Sequence, residues 1–130
     1  MIVCSLSIVI AEDDATSYAL FEEMLDGMNI NFYHAKNGRE AFEFVKENPD
    51  IDLILMDIKM TVMDGYEATK MIKSNFPEIP VVAQTAYASP QDREKALKVG
   101  CDSYISKPIQ EKDFLNVINK LLMKGKMAVK

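Results

Sequence analysis

At 130 residues, with 48 % apolar and 27 % charged side chains, the chain has the size and composition of one soluble globular domain with enough apolar volume for a core. Its formal net charge of −5 and pI near 4.9 argue against a basic nucleic-acid-binding face as its main business. Cys4 and Cys101 match no metal or redox spacing and read as reduced thiols in a cytoplasmic protein.

Met1 to Ala11 is apolar, but it has no basic start and runs straight into Glu12-Asp13-Asp14 without a small-residue cleavage site. It therefore reads as a buried strand. No stretch is long enough to cross a membrane. Ser7 to Ala11 is a continuous apolar run, as a strand covered on both faces should be. Ala15 to Met28 follows with Tyr18, Phe21, Leu25 and Met28 at helical spacing. Asn31 to Ala35 reads as the second strand. Asn37-Gly38 turns into a helix carrying Ala41, Phe42 and Val45, which Asn48-Pro49 ends. Leu53 to Met56 is the third and most hydrophobic strand. Asp64 caps the next helix before Gly65, and that helix stops before Pro77. Pro80 to Gln84 is the fourth strand. Ser89-Pro90-Gln91-Asp92 is a helix start, with Ser at the N-cap, Pro in the first turn and an acid three residues on, and Gly100 is a suitable stop. Ser103 to Ser106 is the fifth strand. A last helix carries Phe114, Leu115, Ile118, Leu121 and Leu122.

Five strand–helix units predict an α/β domain over residues 1–123, with 124–130 as a tail. The expected architecture is a flavodoxin-like, doubly wound (βα)5 fold with a five-stranded parallel sheet in the order 2-1-3-4-5. Ligands of such sheets bind beyond the carboxyl ends of the strands. Strand 1 ends in Glu12-Asp13-Asp14, strand 3 in Asp57, strand 4 in Thr85 and strand 5 in Lys107-Pro108. In that strand order these side chains converge.

Clustered carboxylates need a cation or a proton. Two unit charges about 4 Å apart repel by roughly 4 kcal/mol at an effective dielectric of 20. Oxygen donors with no His or Cys among them suit a hard ion, and Mg²⁺ is the expected one. A carboxylate, a hard cation, a lysine and a hydroxyl together make a site for phosphoryl transfer onto the carboxylate. Taken singly, each residue has a plainer reading: Asp13-Asp14 as a helix cap, Asp57 as a strand-end acid, Thr85 as a strand former, Lys107 as a solvated lysine and Tyr104 as packing. These plainer readings fail jointly, because they leave four strand ends to coincidence. His34 reads as structural or surface, and the nine methionines as packing.

The cluster AEDD, the run LILMDIKMTVMDGYEA, the triplet QTA and the segment YISKP together resemble the receiver domains of two-component response regulators, over about Ser7 to Met123. MDGYEATKMIK and DREKALKVGCDSYISKPI are most similar to receivers of hybrid sensor histidine kinases. The resemblance implies that Asp57 is the phosphoacceptor. It implies direct Mg²⁺ ligation by Asp14 and Asp57, with Asp13 through water and the Lys59 carbonyl as a further ligand. Thr85 would hydrogen-bond the phosphoryl group, Lys107 would pair with it, and Tyr104 would be the aromatic switch. Lys107-Pro108 is commonly a cis peptide in the family.

Implied partners are a histidine kinase or histidine phosphotransfer domain as phosphoryl donor and a downstream protein target. The resemblance implies no direct contact with nucleic acid and no membrane insertion, and it leaves a phosphorylation-dependent homodimer open. Such a domain is not an enzyme beyond catalysing its own phosphorylation and dephosphorylation. Thr61 stands where these receivers carry proline, which implies a less rigid loop, and Lys59 and Tyr87 occupy positions that tune phosphoryl lifetime. Three rivals remain. A phosphatase of the haloacid-dehalogenase type would need an acid where Lys59 stands. A flavin-mononucleotide carrier would not open its first loop with three acids. A phosphorylation-independent interaction domain has no need of the acceptor set.

Overall fold

The computed structural model describes residues 6–26, 28, 30–60, 63–85, 89–107 and 109–125. The expectations about Cys4, Thr61, Tyr87 and Pro108 fall outside them. The chain alternates strictly: β1 (Leu6–Ala11), α1 (Ala15–Leu25), β2 (Ile30–Ala35), α2 (Gly38–Glu47), β3 (Leu53–Asp57), α3 (Gly65–Asn75), β4 (Val81–Thr85), α4 (Pro90–Lys98), β5 (Ser103–Ser106) and α5 (Glu111–Gly125). The strands pair in parallel in the order β2-β1-β3-β4-β5, as the sequence predicts.

The two faces of the sheet make two cores, because alternate strand residues point to opposite sides. Ile8, Ile10, Leu53, Leu55, Val82 and Ile105 pack with Phe21 and Leu25 of α1 and Phe114 and Ile118 of α5. Val9, Ala11, Ile54, Met56, Val81 and Ala83 pack with residues of α2, α3 and α4, among them Ala41, Val45, Ala68, Ile72 and Ala96. Coverage on both faces is why β1 and β3 read as unbroken apolar runs. β2 lies at an edge, with much of its surface exposed.

Local chemistry places the helix starts. Asp64 accepts the Glu67 N–H (2.9 Å), Asn37 accepts the Glu40 N–H (2.9 Å) and Ser89 accepts the Asp92 N–H (3.1 Å). Gly100, at φ +114°, adopts a backbone that favours glycine and closes α4. α1 ends at Leu25, short of the expected Met28, because Asp26 leaves helical angles just before Gly27 in the sequence. Met28 still packs on the α1–α5 core. β3 and β4 run one residue further than expected, taking in Asp57 and Thr85, and α5 extends through Gly125.

Candidate functional site

Strand register assembles the site. Ala11 pairs with Met56, so Glu12 emerges level with Asp57; Asp57 pairs with Gln84, so Thr85 lies one step beyond it. Thr85 pairs with Ser106, and the Lys107 N–H donates to the Thr85 carbonyl (2.8 Å). Glu12, Asp13, Asp14, Asp57, Lys59, Thr85 and Lys107 all line one small cavity of about 210 Å³ at this carboxyl edge.

Asp57 is 4 % exposed. Its Oδ2 accepts from Lys107 Nζ (2.8 Å), and its Oδ1 accepts the Lys59 N–H (3.1 Å). Glu12 is fully buried, with Oε1 3.3 Å from the same Lys107 Nζ and Oε2 accepting the Asp14 N–H (3.2 Å). One lysine is thus shared by two buried carboxylates. Burial pulls the Lys107 ammonium toward neutrality, but the hydrogen bond to Asp57 and the charges of Asp57 and Glu12 win, and its pKa is raised. For Glu12, burial first and the adjoining Asp57 carboxylate second push the carboxyl up to about 7.

This donor set fits a hard divalent cation. Glu12, Asp13 and Asp57 each offer an oxygen within 4.8 Å of the others, and none of the three is nitrogen or sulfur. Glu12 Oε1 is buried without a hydrogen bond, its contact with Lys107 lacking the geometry for one. Negative charge in excess of one lysine and a buried acceptor left over are what a cation and its water shell would satisfy.

The acidic set is shifted by one residue from the expected Asp13, Asp14 and Asp57. Asp14 is an exposed N-cap whose carboxylate accepts from the Ser17 N–H (3.0 Å) and Ser17 hydroxyl (2.8 Å). Those two bonds hold its pKa below the usual carboxylate range. In the sequence both Asp13 and Asp14 are acceptable N-cap residues; the structure puts Asp14 at the cap.

Thr85 is half-buried and, by strand alternation, shares a sheet face with Tyr104. Tyr104 packs against the α2–α4 core, with the Arg93 guanidinium 4.6 Å over its ring. Cys101 is a buried free thiol, pushed up to about 11 mainly by burial. His34, read from sequence as structural or surface, lies with its Nε2 2.7 Å from the backbone carbonyl of Glu12. That contact joins residues 22 apart in the chain and has no local signature. Among the described residues, no helix is long and apolar enough to cross a membrane.

Comparison with known proteins points to one family. Residues 8–119 match the family model of the response regulator receiver domain. The polar-differentiation response regulator DivK of Brucella anthropi is 36 % identical over 118 residues, covering 89 % of this chain and 95 % of that protein. The receiver domain of the response regulator Ssk1 from Saccharomyces cerevisiae, solved with the histidine phosphotransfer signaling protein Ypd1, has a TM-score of 0.88 at 28 % identity, covering 98 % of this chain and 95 % of that one. The receiver domain of the sensor histidine kinase PA1611 from Pseudomonas aeruginosa, solved with a magnesium ion in its active-site cleft, has a TM-score of 0.84 at 29 % identity, covering 92 % and 99 %. Receivers are signalling modules rather than ordinary enzymes. Matched by the family's model over most of its length, the chain belongs to the response-regulator receiver domains of two-component signalling.

Proposed function

We propose that Asp57 takes a phosphoryl group from a phosphohistidine donor and that the modified domain signals to a protein partner. The observation that carries this reading is a buried carboxylate at a strand end, 2.8 Å from a lysine shared with a second buried acid. In the transfer, an Asp57 oxygen forms the new O–P bond as the P–N bond breaks. The P–N electron pair returns to the imidazole, which leaves neutral when its other nitrogen carries a proton. Lys107 holds the Asp57 carboxylate in place, then pairs with the incoming phosphoryl oxygens. The Lys59 N–H fixes the second Asp57 oxygen and so the plane of the carboxylate. Thr85, on the same cavity wall, supplies a hydroxyl donor to the phosphoryl group.

Asp13 and Asp57 would hold Mg²⁺ directly, with Glu12 through its water shell and the Lys59 carbonyl as a further ligand. When bound, the ion neutralises charge on the acidic set and on the phosphoryl oxygens. Support for a histidine donor comes from the structural relative solved with a histidine phosphotransfer protein. Support for the likeness to kinase-borne receivers comes from the similar receiver of the sensor histidine kinase PA1611. Tyr104 and Thr85 would carry the change to the face formed by α4, β5 and α5.

The test is intact mass after incubation with acetyl phosphate, with and without Mg²⁺. One phosphoryl group is expected, dependent on Mg²⁺ and absent in Asp57→Asn. No gain, together with no amide shifts on adding beryllofluoride, would leave a phosphorylation-independent interaction domain.

A further inference from the structure

We propose that His34 is a positioning residue for the acidic loop, fixing the peptide between Glu12 and Asp13 and so aiming the Asp13 carboxylate at the cation site. This rests on the reading of Glu12, Asp13 and Asp57 as that site. His34 stands opposite Ile10 in the β1–β2 register, near the end of the edge strand. Its Nε2 lies 2.7 Å from the Glu12 carbonyl. A carbonyl oxygen can only accept, so the proton sits on Nε2 and the imidazole donates.

The ring itself is held. It stacks face to face on Tyr18, with centroids 3.7 Å apart and planes within 10°. Tyr18 lies one turn into α1 and also meets Phe32 of β2, at 6.4 Å. The Glu12 N–H donates to the Ala35 carbonyl (2.9 Å). Glu12 is therefore gripped from β2 at both its N–H and its C=O, just past the last β1–β2 register pair, Ala11 with Ala35.

Peptide planarity converts this grip into a direction for Asp13. The Glu12 oxygen and the Asp13 nitrogen belong to one rigid plane, so fixing the oxygen fixes the plane from which Asp13 departs. This matters most for Asp13, because it is the exposed member of the three acids; Glu12 and Asp57 are also held by burial. The Tyr18 stack ties the same loop to α1 on its far side. His34 thus clasps the segment from Glu12 to Tyr18 at both ends, as the hydrogen-bond partners of metal ligands do in built metal sites.

Three proteins test this: wild type, H34F, which keeps a stacking ring but no donor, and H34Q, which keeps an N–H donor but no ring. Each is titrated with Mg²⁺ by calorimetry, with the Asp13 amide shift followed by NMR and a thermal melt without Mg²⁺ as the check on folding. H34F is expected to weaken Mg²⁺ binding about tenfold and to move the Asp13 amide before any ion is added. H34Q should lose clearly less affinity. H34F binding as tightly as wild type would overturn the proposal. So would equal losses in H34F and H34Q, which would mark His34 as packing alone. A wild type that binds no Mg²⁺ would instead overturn the cation reading, and the same titration shows which has failed.

Discussion

Glu12 sits fully buried between Asp57 and Lys107, and its carboxyl is pushed from an ordinary 4.5 up to about 7, chiefly by burial. Between those two pH values the folded chain keeps a proton that the unfolded chain has released. Stability of the Mg²⁺-free protein should therefore fall as pH rises from about 4.5 through about 7, by an amount on the order of 3 kcal/mol, and level off above. Urea midpoints taken in EDTA across that range check the slope. Glu12→Gln should flatten it and raise stability at pH 8, because the cost of a buried charge is removed. A wild-type profile that is level from pH 5 to 8 would mean that Lys107 fully offsets that charge. At this scale the sequence showed the acids, but not which of three neighbours in Glu12-Asp13-Asp14 turns inward.

Two elements carry the consequences of local geometry. At the start of α1, Asp14 is engaged in capping the helix while Asp13 clusters with Glu12 and Asp57, so the two acids should separate on substitution. Asp14→Ala should lower the melting temperature and leave Mg²⁺ affinity close to wild type, whereas Asp13→Asn should reduce affinity at least tenfold with little change in melting. Equal effects of the two on affinity would return Asp14 to the metal site. In α3, the Gly65 N–H donates to the Ile58 carbonyl (2.9 Å), and a Cβ there would lie 2.3 Å from the Asp57 carbonyl oxygen. Gly65→Ala has to push backbone away from the acceptor strand, which should cost about 1–3 kcal/mol and slow phosphorylation by acetyl phosphate. Chemical denaturation and intact-mass time courses measure both. The Asp64-Gly65 pair was legible as a helix start; that the glycine is also required by the nearness of Asp57 was not, because the contact depends on how α3 returns over β3.

Across the whole molecule, the site can drive a switch only if its energy matches the task. Two charge-assisted hydrogen bonds, from Thr85 and Lys107 to a phosphoryl group, are worth about 3–6 kcal/mol together. Shifting a two-state equilibrium from 1:99 to 99:1 needs about 5.5 kcal/mol. Thr85 and Tyr104 share one face of the sheet, and Arg93 of α4 lies over the Tyr104 ring, so the expected path runs from β4 into α4 and β5. Amide shifts on adding beryllofluoride should extend beyond the acidic pocket to α4, β5 and α5. Shifts confined to the pocket would remove the switch and leave the acceptor. The sequence alone showed the five strand–helix units, the helix starts at Asp64 and Ser89, and the strand-end positions of Asp57, Thr85 and Lys107. It could do so because hydrophobic period, capping chemistry and strand-end position are local properties. The folded chain clusters Glu12, not Asp14, with Asp13 and Asp57, shares Lys107 between two acids, and brings His34 to the loop. Each of these depends on register between strands far apart in the chain, where a shift of one residue turns a side chain from one face to the other.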